Sequence, residues 1–256
     1  MKINKPFIFI KKYKTYLEYK NKEITEDGYF FDLIISNGEA CRPAYYLKQH
    51  FLRTEANPLD WMMSYSLETS LNLYKTEFRD FFKNYTEDKE KSAKGNYNWY
   101  SDDKNKIISI HYKEIGEDNI YFRQKMQDRF KKLNSNILSS NHICFISDRT
   151  DNYESFEYFL KNIATIYPMH ITYINIKNNK NLTVDKSYKK EVKNISNKLT
   201  FIEFEFNDTH PINPNIESNP DAWIGNFIVW NKIMSKIDLN KKRNFIKYLI
   251  GEIRSN

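Results

Sequence analysis

Ile143-Cys144-Phe145-Ile146, running into Ser147-Asp148-Arg149, is a short apolar run that ends abruptly in polar residues, and it decides the fold. Phe156, Phe159-Leu160 and Ile163 follow at helical spacing. A second strand is predicted at Ile171-Thr172-Tyr173-Ile174-Asn175-Ile176, a polar helix near Ser187 to Asn197, and a third strand at Leu199-Thr200-Phe201-Ile202-Glu203-Phe204. Strand, helix, strand, helix, strand at this spacing predicts a parallel sheet with crossover helices. The expected fold is a three-layer α/β domain with a mainly parallel, Rossmann-like sheet. Its C-terminal end is expected to be helical, from Asp221 to Ile237 and from Leu239 to Ile253, with Trp223 and Trp230 seven apart on one face of the first helix.

Toward the N-terminus, Tyr29 to Ile35 reads as a strand that stops at Ser36-Asn37-Gly38. Beyond the glycine, Ala44, Leu47 and the residues to Phe51 have helical spacing, and Pro43 suits a first helical turn, where its missing N–H costs nothing. Cys41 therefore falls at a helix start. A loop holds Asn57-Pro58-Leu59-Asp60-Trp61, and a helix is predicted from Leu67 to Phe82. Residues 87–105 are polar and read as a surface loop or lid, Lys106 to Tyr112 as a strand with His111 near its end, and Ile120 to Leu138 as a basic amphipathic helix carrying Arg123 and Arg129. The expected organisation is one domain over 1–256: a basic lead (1–28), sheet and crossover helices (29–206) and C-terminal helices (220–254).

A chain of 256 residues can bury a core without disulfides or metal. The net charge of +7 would favour an anionic partner if it were clustered, but Lys and Arg are scattered among Asp and Glu. These are read as solvated faces, and no nucleic acid is expected as a partner. No segment approaches the roughly 18 apolar residues of a membrane span, and the apolar run Pro6 to Ile10 is too short for a signal peptide. A cytoplasmic protein with two reduced thiols is expected. His50, His142, His170 and His210 share no ligand spacing with each other or with the cysteines, so no metal site is predicted. Gly-rich phosphate loops are absent too, and no cofactor is expected.

The chemistry centres on Ser36 to Ala44. N–H groups and the dipole of a helix start stabilise negative charge, so a thiol at Cys41 is expected to ionise more easily than one of pKa about 8.5. The same geometry suits a bound phosphate or carboxylate. Gly38, Glu39, Arg42, Arg53, Trp61, Arg123 and Arg149 are the candidate substrate- or anion-binding residues. Cys144, inside an apolar strand, reads as inert core.

Asp32-Leu33-Ile34-Ile35-Ser36-Asn37-Gly38-Glu39-Ala40-Cys41-Arg42-Pro43-Ala44, with Leu52-Arg53 and Asn57-Pro58-Leu59-Asp60-Trp61, resembles the opening motif of a bacterial family of putative papain-like cysteine peptidases. That motif is a strand, S-L-G-x-x-C-x-x-A, then L-R and P-F-D-W. Asn37 stands where Leu is usual, and Leu59 stands for Phe. The similarity covers most of residues 30 to 176. It implies a Cys/His hydrolase with Cys41 as nucleophile, His111 as base, and a carboxylate orienting the imidazole: Asp148 first, Asp60 second. Papain-like enzymes carry the His on an antiparallel sheet, whereas the repeats from Ile143 to Phe206 imply a parallel one. The pocket would equally suit a glycan-related or phosphate-handling transferase in which Cys41 only packs. The substrate is expected to be a small molecule, a peptide or a glycan-related compound.

Overall fold

The computed structural model describes residues 5–22, 27–94, 97–242 and 246. The first part of the chain forms α1 (Lys5–Lys20), β1 (Tyr29–Phe31), β2 (Leu33–Ser36), α2 (Arg42–Gln49), β3 (Met62–Met63) and α3 (Leu67–Lys75). Then come β4 (Tyr85–Glu87), α4 (Lys89–Lys94), β5 (Tyr100–Asp102), β6 (Ile108–Ser109), α5 (Glu114–Glu117) and α6 (Asn119–Leu138). The last part comprises β7 (His142–Ser147), α7 (Tyr153–Ile166), β8 (His170–Asn178), β9 (Lys189–Asn194), β10 (Leu199–Phe206), a 3-10 turn (Pro220–Ile224), α8 (Phe227–Met234) and β11 (Ile237–Leu239).

The fold is mixed α/β. Its main sheet has the order β2-β7-β8-β10-β9, parallel throughout except for β9. The register explains why these strands read as continuous apolar runs. Ile35, Phe145, Tyr173 and Phe201 align across four strands and enter one apolar cluster with α3, α6 and α7. The next row, holding Ile146, Ile174 and Ile202, enters a second cluster with α2 and α8. A strand covered on both faces has no polar side to show, which is the signature of a buried parallel sheet.

Several segments differ from the sequence reading. Tyr29 to Ile35 is two strands rather than one, because the carboxylate of Asp32 accepts from the N–H groups of Asn141 and His142 and from the Asn240 amide. β1 is thereby diverted to pair in parallel with β11, which occupies the start of the stretch read as a last helix. Most of that helix, residues 243–245 and 247 onward, lies outside the described residues, as does part of the 1–28 lead, which otherwise contains α1. The segment from Asp221 to Ile237 is a 3-10 turn, α8 and the first residue of β11, broken at Gly225, whose φ of 72° is left-handed. The polar helix near Ser187 to Asn197 is instead the edge strand β9. It has no apolar stripe to pack a helix, and its exposed Lys and Glu side chains guard an edge that would otherwise invite pairing.

The helix beginning at Leu67 stops at Lys75. Glu77, Phe78 and Phe82 take positive φ, and the turns they make bury Phe78, Phe81 and Phe82 in the first cluster. The described part of residues 87–105 is not a plain loop. It holds α4 and β5, and β3-β6-β5-β4 form a second, antiparallel sheet. The stretch Lys106 to Tyr112 contributes only the two residues of β6, since Asp102 closes a tight turn by accepting from the N–H groups of Lys104 and Asn105. His111 follows that short strand. Among the described residues no helix is long and apolar enough to cross a membrane.

Candidate active site

The loop from β2 to α2 is held on every side. Asn37, fully buried, donates through Nδ2 to the Tyr173 hydroxyl at 3.2 Å and accepts from Ser70 Oγ at 2.6 Å. Its carbonyl accepts from Arg149 Nε at 2.8 Å. Ser36 donates through Oγ to Asp60 Oδ1 at 2.5 Å. Gly38 leaves room for the turn: a Cβ there would lie 2.5 Å from Asp148 Oδ1 and 2.6 Å from Pro43 Cγ. Cys41 is the residue at which α2 begins, with Pro43 in the first turn and no side-chain cap, so its thiol is not engaged by the helix terminus.

The thiol meets His111 instead. Sγ lies 3.4 Å from Nε2, although the two residues are 70 positions apart. The ring stands edge-on to Trp61 (centroids 5.5 Å) and Tyr97 (6.3 Å). Loss of solvent around it lowers the imidazole pKa from its ordinary value. The thiol moves the opposite way, and against the sequence-based expectation. Burial, with the charges of Asp148 and Asp60, pushes it up to about 12, outweighing the helix start. Thiol and imidazole therefore rest as a neutral hydrogen-bonded pair, not as thiolate and imidazolium.

Neither carboxylate considered as an orienter bonds His111 among the described residues. Asp60, 2% exposed, is used up locally: Oδ1 accepts from Ser36, while Oδ2 accepts from the Asn57 N–H and from the Arg53 guanidinium at 2.5 and 2.7 Å. Asp148, half-buried, accepts from the Glu39 N–H at 3.1 Å. Burial pushes its carboxyl up to about 6, with Arg42 acting against the shift and Asp208 adding to it. Among the described residues no cation bonds it directly, although Arg42 and Arg149 act on its charge.

The candidate anion-binding arginines have protein partners. Arg42 donates to the Trp223 carbonyl at 2.8 Å and pairs with Asp208. Arg149 is fully buried, donates to the carbonyls of Asn37 and Tyr65, and lies 4.7 Å from the Tyr65 ring centroid. Arg123 donates to the Arg79 carbonyl, beside the turns after α3 and away from the thiol's neighbours. Glu39 lies 3.7 Å from Arg149, and the guanidinium of Arg53 is 6.0 Å from the Trp61 ring centroid. Asp208 escaped the sequence reading. It follows the end of β10 as Asp148 follows the end of β7, and that shared placement at the carboxyl edge of a parallel sheet was the signal available. Cys144 is fully buried within β7 and is free, as Cys41 is.

Residues 32–211, more than half of the chain, match a family model described as "Putative papain-like cysteine peptidase (DUF1796)", and the chain belongs to this family. Comparison with the curated proteins and with the solved structures found no match.

Proposed function

We propose that the protein is a cysteine-dependent hydrolase in which Cys41 is the nucleophile and His111 the general base. The observation that carries this reading is the 3.4 Å approach of Sγ to Nε2 across 70 positions of sequence. Because the resting pair is neutral, the thiol proton passes to Nε2 as Sγ bonds to a substrate carbonyl carbon. The carbonyl oxygen gains the negative charge beside the first turn of α2, whose N–H groups precede any intrahelical acceptor. Collapse of this intermediate breaks the bond to the leaving group, which takes the proton from Nε2 and leaves a thioester. Water then attacks the thioester, gives a proton to His111, and releases the carboxylic acid and the free thiol. Free thiols at both cysteines support a reducing, cytoplasmic setting. The two apolar clusters flanking the main sheet support a three-layer, Rossmann-like arrangement within one domain. A transferase using the site for anions has less support, since Arg42 and Arg149 are already engaged by carboxylates and carbonyls.

Acylation by p-nitrophenyl acetate, followed by intact-mass and peptide mapping, tests the reading. One acetyl group on Cys41 is expected in the wild type and none in Cys41→Ala, with His111→Ala slowed about 100-fold or more. Acetylation of Cys144 alone, or equal rates for the wild type and His111→Ala, would sink it.

A further inference from the structure

A cavity of about 510 Å³ opens at the same edge of the main sheet, in the connection between β10 and α8, and is lined by His210, Ile212, Asp221, Ile224 and Phe227 among others. It is wide open to solvent, so it offers a wall and an end for one side chain rather than an enclosure for a whole ligand. One wall is the 3-10 turn, which is fastened to the nucleophile's helix. Arg42 donates to the Trp223 carbonyl at 2.8 Å, Tyr46 donates to the Ile224 carbonyl at 3.0 Å, and Trp223 packs on Tyr45 with ring centroids 5.0 Å apart. The cavity thus adjoins the helix that begins at Cys41.

Its chemistry is unequal. The side chains of Asn213 and Asn219 are spent within the loop, on Ser218 Oγ and on the Asn213 carbonyl. His210 Nδ1 faces the N–H groups of Ile212 and Asn213, so its own proton sits on Nε2, which bonds nothing among the described residues. The exposed carboxylate of Asp221 is the only charged group in the lining; its charge is felt by the Tyr45 hydroxyl, but among the described residues it has no hydrogen bond and no cation, and only its backbone N–H is used, by Asn219. Phe227, whose ring lies 5.5 Å from that of His210, and Ile224 form an apolar wall beside it. A single negative charge that no cation among the described residues bonds, at the end of an apolar surface, fits an ammonium or guanidinium head on an aliphatic stem.

We propose that this cavity is a substrate subsite that takes a lysine or arginine side chain of a peptide, with the stem along Ile224 and Phe227, the head at Asp221, and the His210 Nε2–H directed to a peptide carbonyl. The proposal rests on the hydrolase reading and adds to it the class of substrate.

The test uses full-length Cys41→Ala, which binds without turnover, titrated calorimetrically with acetyl-Ala-Lys-Ala-amide and with its norleucine counterpart, which keeps the stem and lacks the charge. The lysine peptide should bind about fivefold tighter at low salt, as for an exposed ion pair at the upper end of its range. That preference should shrink at 0.5 M salt and vanish in Cys41→Ala/Asp221→Asn, with Asp221→Ser as a second variant should the first misfold. Equal binding of the two peptides, a preference that survives both Asp221 variants, or no binding of the lysine peptide up to millimolar concentration overturns the subsite. Wild-type acetylation by p-nitrophenyl acetate, run in parallel, fails only if the Cys41–His111 reading fails.

Discussion

Asp148→Asn removes a negative charge that acts on the thiol and keeps an oxygen to accept from the Glu39 N–H. Burial raises the Asp148 carboxyl from 3.8 to about 6 in the folded chain. The folded state therefore holds more protons than the unfolded one between about pH 4 and 6, and stability falls as pH rises through that window. Above about pH 6 the whole cost is present. A shift of about two units at ~1.4 kcal/mol each sets a ceiling of ~3 kcal/mol. The amide does not ionise and escapes this cost. Urea unfolding at pH 7.5 should find the variant more stable by about 1–3 kcal/mol, with the gap closing as pH approaches 4. The same charge contributes to the raised thiol pKa, and its removal should lower that value by about one unit. Nucleophilicity falls with pKa, so iodoacetamide should alkylate Cys41 only about threefold faster at pH 8.5, and the ratio of variant to wild type should return to one below about pH 6. A variant that is less stable at pH 7.5, or whose Cys41 alkylates no faster, refutes the reasoning.

Gly38→Ala pushes a methyl group into Asp148 and Pro43, and a loss of about 1–3 kcal/mol is expected in urea unfolding, together with slower acetylation of Cys41. Asp60→Ala leaves Arg53 and Ser36 without their buried acceptor; the expected cost is about 3–5 kcal/mol, read as a lower denaturation midpoint with an unchanged slope. Arg149→Met strips the Asn37 and Tyr65 carbonyls of their donor. It should cost about 2–4 kcal/mol and slow acetylation through the loop that carries Cys41, and a variant as stable as the wild type would show the guanidinium to be dispensable.

What sequence reveals here depends on the length of the signal. β7, β8, β10, α6 and α7 are long enough for their periods to show, and Gly38 and Pro43 punctuate the turn that sets Cys41 at a helix start. β3, β6 and β11 are two or three residues long, too short for any period, so the antiparallel sheet and the β1–β11 pair were invisible. β9 failed for another reason: its alternation is lost among charges because neither of its faces packs on a core. The direction of the thiol's pKa lay beyond local reading. A helix start can be inferred from neighbouring residues, but Asp148 arrives beside the turn from 109 positions away, and its charge and the burial of the site outweigh the terminus.

The attachment of α2 to the far end of the chain has a consequence for synthesis. Tyr46 stacks on Trp230 with centroids 4.5 Å apart and planes within 2°, His50 meets Asn231, and Arg42 reaches Asp208 166 positions later. A ribosome makes Cys41 early and its scaffold late. Until roughly residue 230 has emerged, the helix that carries Cys41 lacks the surface that fixes its tilt, and the thiol has no set bearing on His111. On the proposed function, the Cys41–His111 pair is therefore set only once α8 has been made.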